Sequence, residues 1–201
     1  MHMENFSTRP ELKGTFGMTT STHWLASSVG MSILERGGNS FDAAVAMGFV
    51  LQVVEPHLNG PGGEVPILFQ SSDEVRPKML CGQGISPARA NIEYFLDLGL
   101  DLIPGTGHLA AVVPGAFSAW MKLLRDYGSM SLKDILSPAI YYAKLGYPIS
   151  ERVEDAIKSV AESFEKNWPS SAEVYLRNGT IPKAGCLFTN PHIAQTWEKI
   201  L

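Results

Sequence analysis

Apolar residues at Leu25, Val29, Ile33 and Leu34 recur at helical spacing, and "RGG" follows them. The pattern predicts an amphipathic helix over 25–34, closed by a glycine C-cap. A second helix starts at once. Asn39 is placed to cap it and Asp42 to complement its positive end, while "FDAAVAMGFVLQVV" is apolar on nearly every side. Such a helix belongs in a core. Glu55-Pro56 ends it, and the Gly and Pro residues between Asn59 and Gly63 require a loop with special backbone angles.

"VPILFQ" and "PKMLCGQ" then read as two short strands joined by the polar turn "SSDEVR", which makes a hairpin. "ANIEYFLDLG" predicts a short helix, and "HLAAVVPG" predicts a buried strand leading to a helix over 116–127. In "SLKDILSPAIYYAKLG", Ser131 and Asp134 mark a helix start and Gly146 its end. Ser150 opens a charged helix to about Asn167. The last segment, "EVYLRNGTIPKAGCLFTNPHIAQTWEKIL", holds a strand, an Asn-Gly turn and a final helix opened by Asn190 with Pro191 at its first position. Trp197, Ile200 and Leu201 are still in pattern where the sequence stops, which reads as a fragment. The expectation is one partial α+β domain over 1–201, helix-rich after about residue 115.

With 45% hydrophobic and 18% charged residues among 201, the chain can bury a sizeable core, and disorder is excluded. Net charge is −4 and no Lys/Arg cluster appears, which excludes nucleic acid and an anionic membrane as partners. "MHMENFSTRP" lacks the basic and apolar segments of a secretory signal, and no apolar run can span a bilayer. A cytoplasmic protein is expected, so the sequon Asn178-Gly179-Thr180 carries no glycan. Cys81 and Cys186 lack the paired spacing of zinc or redox motifs and read as free thiols. Glu55 and His57 do not have metal-ligand spacing, and His108 and His192 are isolated. Structural roles are expected for all four, with no metal and no cofactor. "GTGH" at 105–108 lacks a Gly-Lys-Ser/Thr ending and reads as a connection rather than a phosphate loop. Phe117, Trp120, Met121 and Leu124 repeat at helical spacing and read as core.

The stretch "ERGGNSFDAAVAMGFVLQVVEPHLNGPGGEVPILFQ" resembles the segment of gamma-glutamyltransferases in which a Gly-Gly-Asn-Ala-x-Asp-Ala-Ala-Val-Ala helix leads through Val-Val-Glu-Pro to a glycine-rich loop and a strand. Ser86-Pro87, "VVPGAFSAW", "LSPAIYYAKLGYPIS" and "AGCLFTNPHIAQTWEKI" match further family segments in the same order, so the resemblance covers the chain from about Gly17 onward. It implies an N-terminal nucleophile hydrolase, an αββα sandwich made by self-cleavage of a precursor into a large and a small subunit. The implied nucleophile is a threonine at the start of the small subunit, whose own α-amino group serves as general base. An oxyanion hole then stabilises the tetrahedral intermediate. All of that machinery is implied to lie beyond Leu201, so no catalytic residue is expected here. "STHW" at 21–24 is similar to the sequence around the family's nucleophile, but its surroundings match the family's first strand and helix. Its polar residues read as helix caps.

Typical family members read Arg-Glu-x-Ala-Pro before the matching proline, and that arginine grips the α-carboxylate of the γ-glutamyl group. Aligned on Pro87, this chain has Gln83 in the arginine's place and Gly84 in the glutamate's. A neutral amide offers two donors, one acceptor and no charge, whereas guanidinium offers a permanent charge and a fork of donors. Losing a charge-assisted bidentate contact costs carboxylate binding about 1.5–3 kcal/mol. Gln83 is therefore the candidate substrate-binding residue. The Gly-Gln-Gly turn looks like that of the family branch that includes amidohydrolases and acylase-like proteins. The competing reading has Gln83 satisfying a buried backbone group while Gly82 and Gly84 permit a tight bend. Glu64, which also departs from the family's glycine loop, reads as an exposed acid.

The resulting expectation is the large-subunit portion of a self-processing gamma-glutamyltransferase-like amidohydrolase or acyltransferase. It acts on a small amide, is inactive without its own small-subunit portion, and is compatible with a homo-oligomer. One alternative is a true gamma-glutamyl transferase or glutathione hydrolase whose carboxylate grip comes from elsewhere, with Arg89 nearest. Another is a non-catalytic binding or scaffold relative.

Overall fold

Residues 11–201 are described by the structure, a computed structural model. The leading segment "MHMENFSTRP", on which the reading of a missing secretory signal rests, lies outside them.

Helix α1 (Trp24–Glu35) ends as its glycines require. Gly37 takes φ +91° and donates to Leu34 O, while Gly38 donates to Ile33 O, both at 3.0 Å. Helix α2 (Ser40–Val54) follows with a full capping box: Asn39 accepts from the backbone of Phe41 and Asp42, and the Asp42 carboxylate accepts from Asn39 N. α1 packs along one side of α2, and Leu25, Val29 and Ile33 are buried. Because α2 is covered on several sides, its near-continuous apolar sequence is fully used.

Strands β1 (Val65–Phe69) and β2 (Lys78–Gly82) form the expected antiparallel hairpin, with Val65 opposite Gly82 and Phe69 opposite Lys78. Its inner face carries Ile67, Phe69 and Leu80, and Phe69 lies edge-on to Phe41 and Tyr127. The outer face carries Leu68 and Met79, exposed at 76% and 66%. Helix α3 (Ile92–Asp97) is capped by Asn91, whose side chain accepts from Tyr94 N at 2.9 Å.

The buried strand expected over 108–115 does not form. His108–Ala110 is one 3-10 turn and the chain then runs extended to Gly115, with Val112 and Val113 about half exposed. A strand needs a ladder partner, and the bonds from Val113 N to Ile85 O at 2.9 Å and from Gly115 N to Gly63 O at 3.2 Å both reach residues outside β1 and β2.

Helices α4 (Ala116–Tyr127), α5 (Leu132–Leu145) and α6 (Glu151–Asn167) start and stop where their caps predict. The strand expected ahead of the Asn-Gly turn does not form, because helix α7 (Pro169–Tyr175) runs there, and after the turn a two-residue strand, β4 (Leu187–Phe188), pairs with β3 (Tyr147–Pro148). α8 (Pro191–Glu198) packs on α5, which packs on α2. At the centre the Trp197 ring meets Phe49 edge-on, with centroids 5.6 Å apart.

The result is α+β and helix-rich after residue 115. Among the described residues no helix is long and apolar enough to cross a membrane.

Candidate functional site

Gln83 sits where three backbone segments meet without room for side chains. A Cβ on Gly84, already at φ +79°, would lie 2.0 Å from Val113 O. A Cβ on Gly115 would lie 2.4 Å from Gly82 O and 2.6 Å from Gly84 N. Gly115 N and Ala116 N both donate to Gly63 O, at 3.2 and 3.1 Å, which ties the glycine loop to the start of α4. The turn is thereby fixed on both sides, and Gln83 projects from a rigid base.

Its side chain is exposed. The Cys81 thiol donates to Gln83 Oε1 at 3.5 Å, and the Gln83 amide nitrogen makes no hydrogen bond among the described residues. The reading that Gln83 satisfies a buried backbone group is therefore not what the geometry offers. Cys81 was missed as its neighbour in the sequence, since Gln83 lies in the bend just past β2, where strand alternation no longer applies. Glu64 is exposed on the same loop system. Arg89 is exposed and makes no ion pair among the described residues.

A second polar group lies at the base of the glycine loop. Glu55 is buried and accepts from the Thr22 hydroxyl. Its neighbour His23 caps α1, its Nδ1 accepting from Leu25 N at 3.2 Å. Burial pushes the His23 pKa down, and the Glu55 carboxylate works against that shift. Asn59 donates to Leu51 O and Glu55 O, closing the end of α2. These residues hold the loop's first end in place, the structural role expected for Glu55 and for the polar residues of "STHW". His57 lines a cleft of about 370 Å³ with Ile157, Phe164 and Tyr175, and its Nδ1 is buried without a partner among the described residues. His108 and His192 are exposed and lie apart from it.

Asp42 reaches further than a helix cap. Fully buried, it also accepts from Ser129 N, Ser129 Oγ and Met130 N, at 2.6–3.1 Å. Burial alone would raise its pKa, but the bonds from Ser129, Asn39 and Met130 together hold it below the usual carboxylate value. Among the described residues, no three His, Cys, Asp or Glu side chains are grouped to hold a metal ion.

A family model described as gamma-glutamyltranspeptidase matches residues 26–201. The glutathione hydrolase-like YwrD proenzyme of Bacillus subtilis (strain 168) is 36% identical over 93% of this chain and 35% of that relative. The oxamate amidohydrolase proenzyme of Klebsiella pneumoniae is 32% identical over 98% of this chain and 36% of its own length. Among solved structures, the Helicobacter pylori gamma-glutamyltranspeptidase superposes with a TM-score of 0.88 at 34% identity, covering 95% of this chain and 55% of that one. The structure of LmbA2991HD superposes at 0.93 with 55% identity, covering 98% of this chain and 34% of that one. The chain thus spans about a third of the length of the curated relatives it matches. Its helices and hairpins form part of the N-terminal nucleophile hydrolase fold, and the chain belongs to the gamma-glutamyltranspeptidase family.

Proposed function

We propose that residues 1–201 are the large-subunit portion of a self-processing amidohydrolase or acyltransferase that acts on a small amide lacking a γ-glutamyl α-carboxylate. Alone this portion is inactive, because the nucleophilic threonine and its α-amino base belong to the small-subunit portion. The observation that carries the reading is Gln83. It stands on a rigid, exposed turn with a free amide nitrogen, where the family resemblance places a carboxylate-gripping arginine. A neutral donor there removes the charge-assisted contact a γ-glutamyl group needs.

Two further observations support it. Relatives of this chain are named proenzymes, one of them an amidohydrolase of oxamate. Among the described residues the hairpin's sheet has two strands, and it has an apolar outer face at Leu68 and Met79, as expected of a sheet completed by further strands. The small-subunit portion of the same protein is the partner that would supply them.

The test uses the full-length, processed protein and paired amide substrates with and without a γ-glutamyl α-carboxylate, comparing wild type with Gln83→Arg. Wild type should turn over both alike, and the arginine variant should gain roughly tenfold or more for the carboxylate-bearing member. Wild type that already requires the carboxylate would overturn the reading. It would also favour a true gamma-glutamyl transferase, for which the exposed, unpaired Arg89 is the next cation in sequence after the turn.

A further inference from the structure

We infer that the cleft beside His57 binds a small, neutral aromatic molecule with a carbonyl oxygen on its ring: the ring lies against Phe164 and Tyr175, and the oxygen accepts from His57 Nε2. None of the cleft's lining residues belongs to the Gln83 turn, and the inference stands apart from the reading of Gln83.

The cleft lies where the chain leaving α2 meets α6 and α7. Val153, Ile157 and Val160 follow one another at steps of four and three, and so present one face of α6 to it. Tyr175, the last residue of α7, adds its ring, 5.7 Å from that of Phe164 with the planes tilted by 31°. Tyr175 also stacks on Phe188 at 6.0 Å, so this aromatic wall is fixed by contacts of its own. The turn carrying His57 is fixed as well. Leu58 N and Asn59 Nδ2 both donate to Glu55 O, at 3.0 and 3.1 Å. At about 370 Å³ the cleft falls within the range of pockets that take small molecules, roughly 300–1,000 Å³.

Its lining selects the occupant. Among the described residues, no Asp, Glu, Lys or Arg side chain lines it, so an ion would shed water there without meeting an opposite charge. Burial raises the pKa of the Tyr175 phenol above its ordinary value, which keeps that hydroxyl a neutral donor. The Ser159 hydroxyl donates to Ala156 O at 2.7 Å and is spent within α6. The imidazole decides the rest. His57 is half-buried, its Nδ1 shut from solvent with no partner among the described residues, so Nε2 is the ring nitrogen left to meet an occupant. A neutral imidazole carries its proton on one nitrogen only. A proton on Nδ1 would bury an unpaired donor, a rare kind of orphan in folded proteins, whereas a proton on Nε2 leaves a bare lone pair inside. The cleft is thereby given uncharged donors among apolar and aromatic walls, and its complement is a flat apolar body with an accepting oxygen.

The experiment titrates the full-length, processed protein with three probes, each followed by saturation-transfer NMR. Acetophenone has the ring and the carbonyl, ethylbenzene the ring alone, and benzoate a charge in place of the ketone. Acetophenone and ethylbenzene should both bind saturably, and benzoate at least about tenfold more weakly than acetophenone. His57→Phe, which keeps a ring and loses the donor, should weaken acetophenone roughly fivefold and leave ethylbenzene within about twofold. His57→Gln, which restores an N–H, should recover part of that loss. Because ethylbenzene reads the same cleft, its unchanged affinity also shows that the variants are folded. Val160→Trp, at the exposed edge of the cleft, should abolish binding of both.

The inference is overturned by no saturable binding of either probe, by an equal loss of both in His57→Phe, or by a Val160→Trp protein that binds like wild type. Benzoate bound as tightly as acetophenone would overturn the uncharged character of the site. The Gln83 test reads turnover, so either reading can fail while the other stands.

Discussion

The helical base and the hairpin differ in where their interactions end. In the base, α2 is enclosed by α1, α4 and α5, Trp197 is sealed against Phe49, and Asp42 is saturated with donors. In the hairpin, the inner face is packed and the outer face exposes Leu68, Met79 and Cys81, with Gln83 exposed in the turn that follows β2. One region packs its elements on several sides. The other packs on one face and leaves the second open, and the candidate site lies in the turn just after β2.

Three measurements on the full-length processed protein bear on that contrast. The largest effect belongs to the base: Trp197→Ala should cost about 3–5 kcal/mol in urea unfolding, because a fully buried ring leaves a cavity that α5 and α8 cannot close. A cost below about 1 kcal/mol would mean that the base is not the closed unit described. Next comes the hairpin's outer face, where Leu68→Ala should cost about 2 kcal/mol if the remainder of the protein covers it. A neutral substitution would break the comparison by making that face true surface.

The smallest effect is at His23. Its folded pKa is depressed, mainly by burial, so the neutral form's stabilising contribution is fully present above the unfolded value of 6.5 and is lost as pH falls. Unfolding midpoints compared at pH 7.5 and pH 5.5 should drop on acidification, and His23→Asn, which keeps a capping acceptor without the titration, should flatten that drop. An equal drop in both proteins would assign the acid sensitivity to other groups.

Much of the base was legible because its signals are local. Asn39, Ser131, Ser150 and Asn190 cap the helices they were expected to cap, and Gly37 and Gly146 end theirs at positive φ. The segment 108–115 misled because an apolar run says nothing about whether a ladder partner is at hand. Helix α7 was hidden by its brevity, although Pro169 stands at its first turn, a position where proline favours helix initiation. The site divides the same way. Gln83 could be singled out from the residues flanking Pro87, whereas the Cys81 contact depends on the bend that follows β2. The Thr22–Glu55 bond joins residues 33 positions apart, and no spacing in the sequence announces it.

The bonds from Ser129 and Met130 to Asp42 clasp the chain across 87 and 88 residues, and the hairpin, the Gln83 turn and the stretch 85–113 all lie inside that clasp. For a loop closed at both ends, doubling its length adds only about 0.6 kcal/mol of closure entropy. Insertions or deletions in 85–113 are therefore cheap for the base, so the surroundings of the site can be remodelled in length while the helices beneath it stay folded.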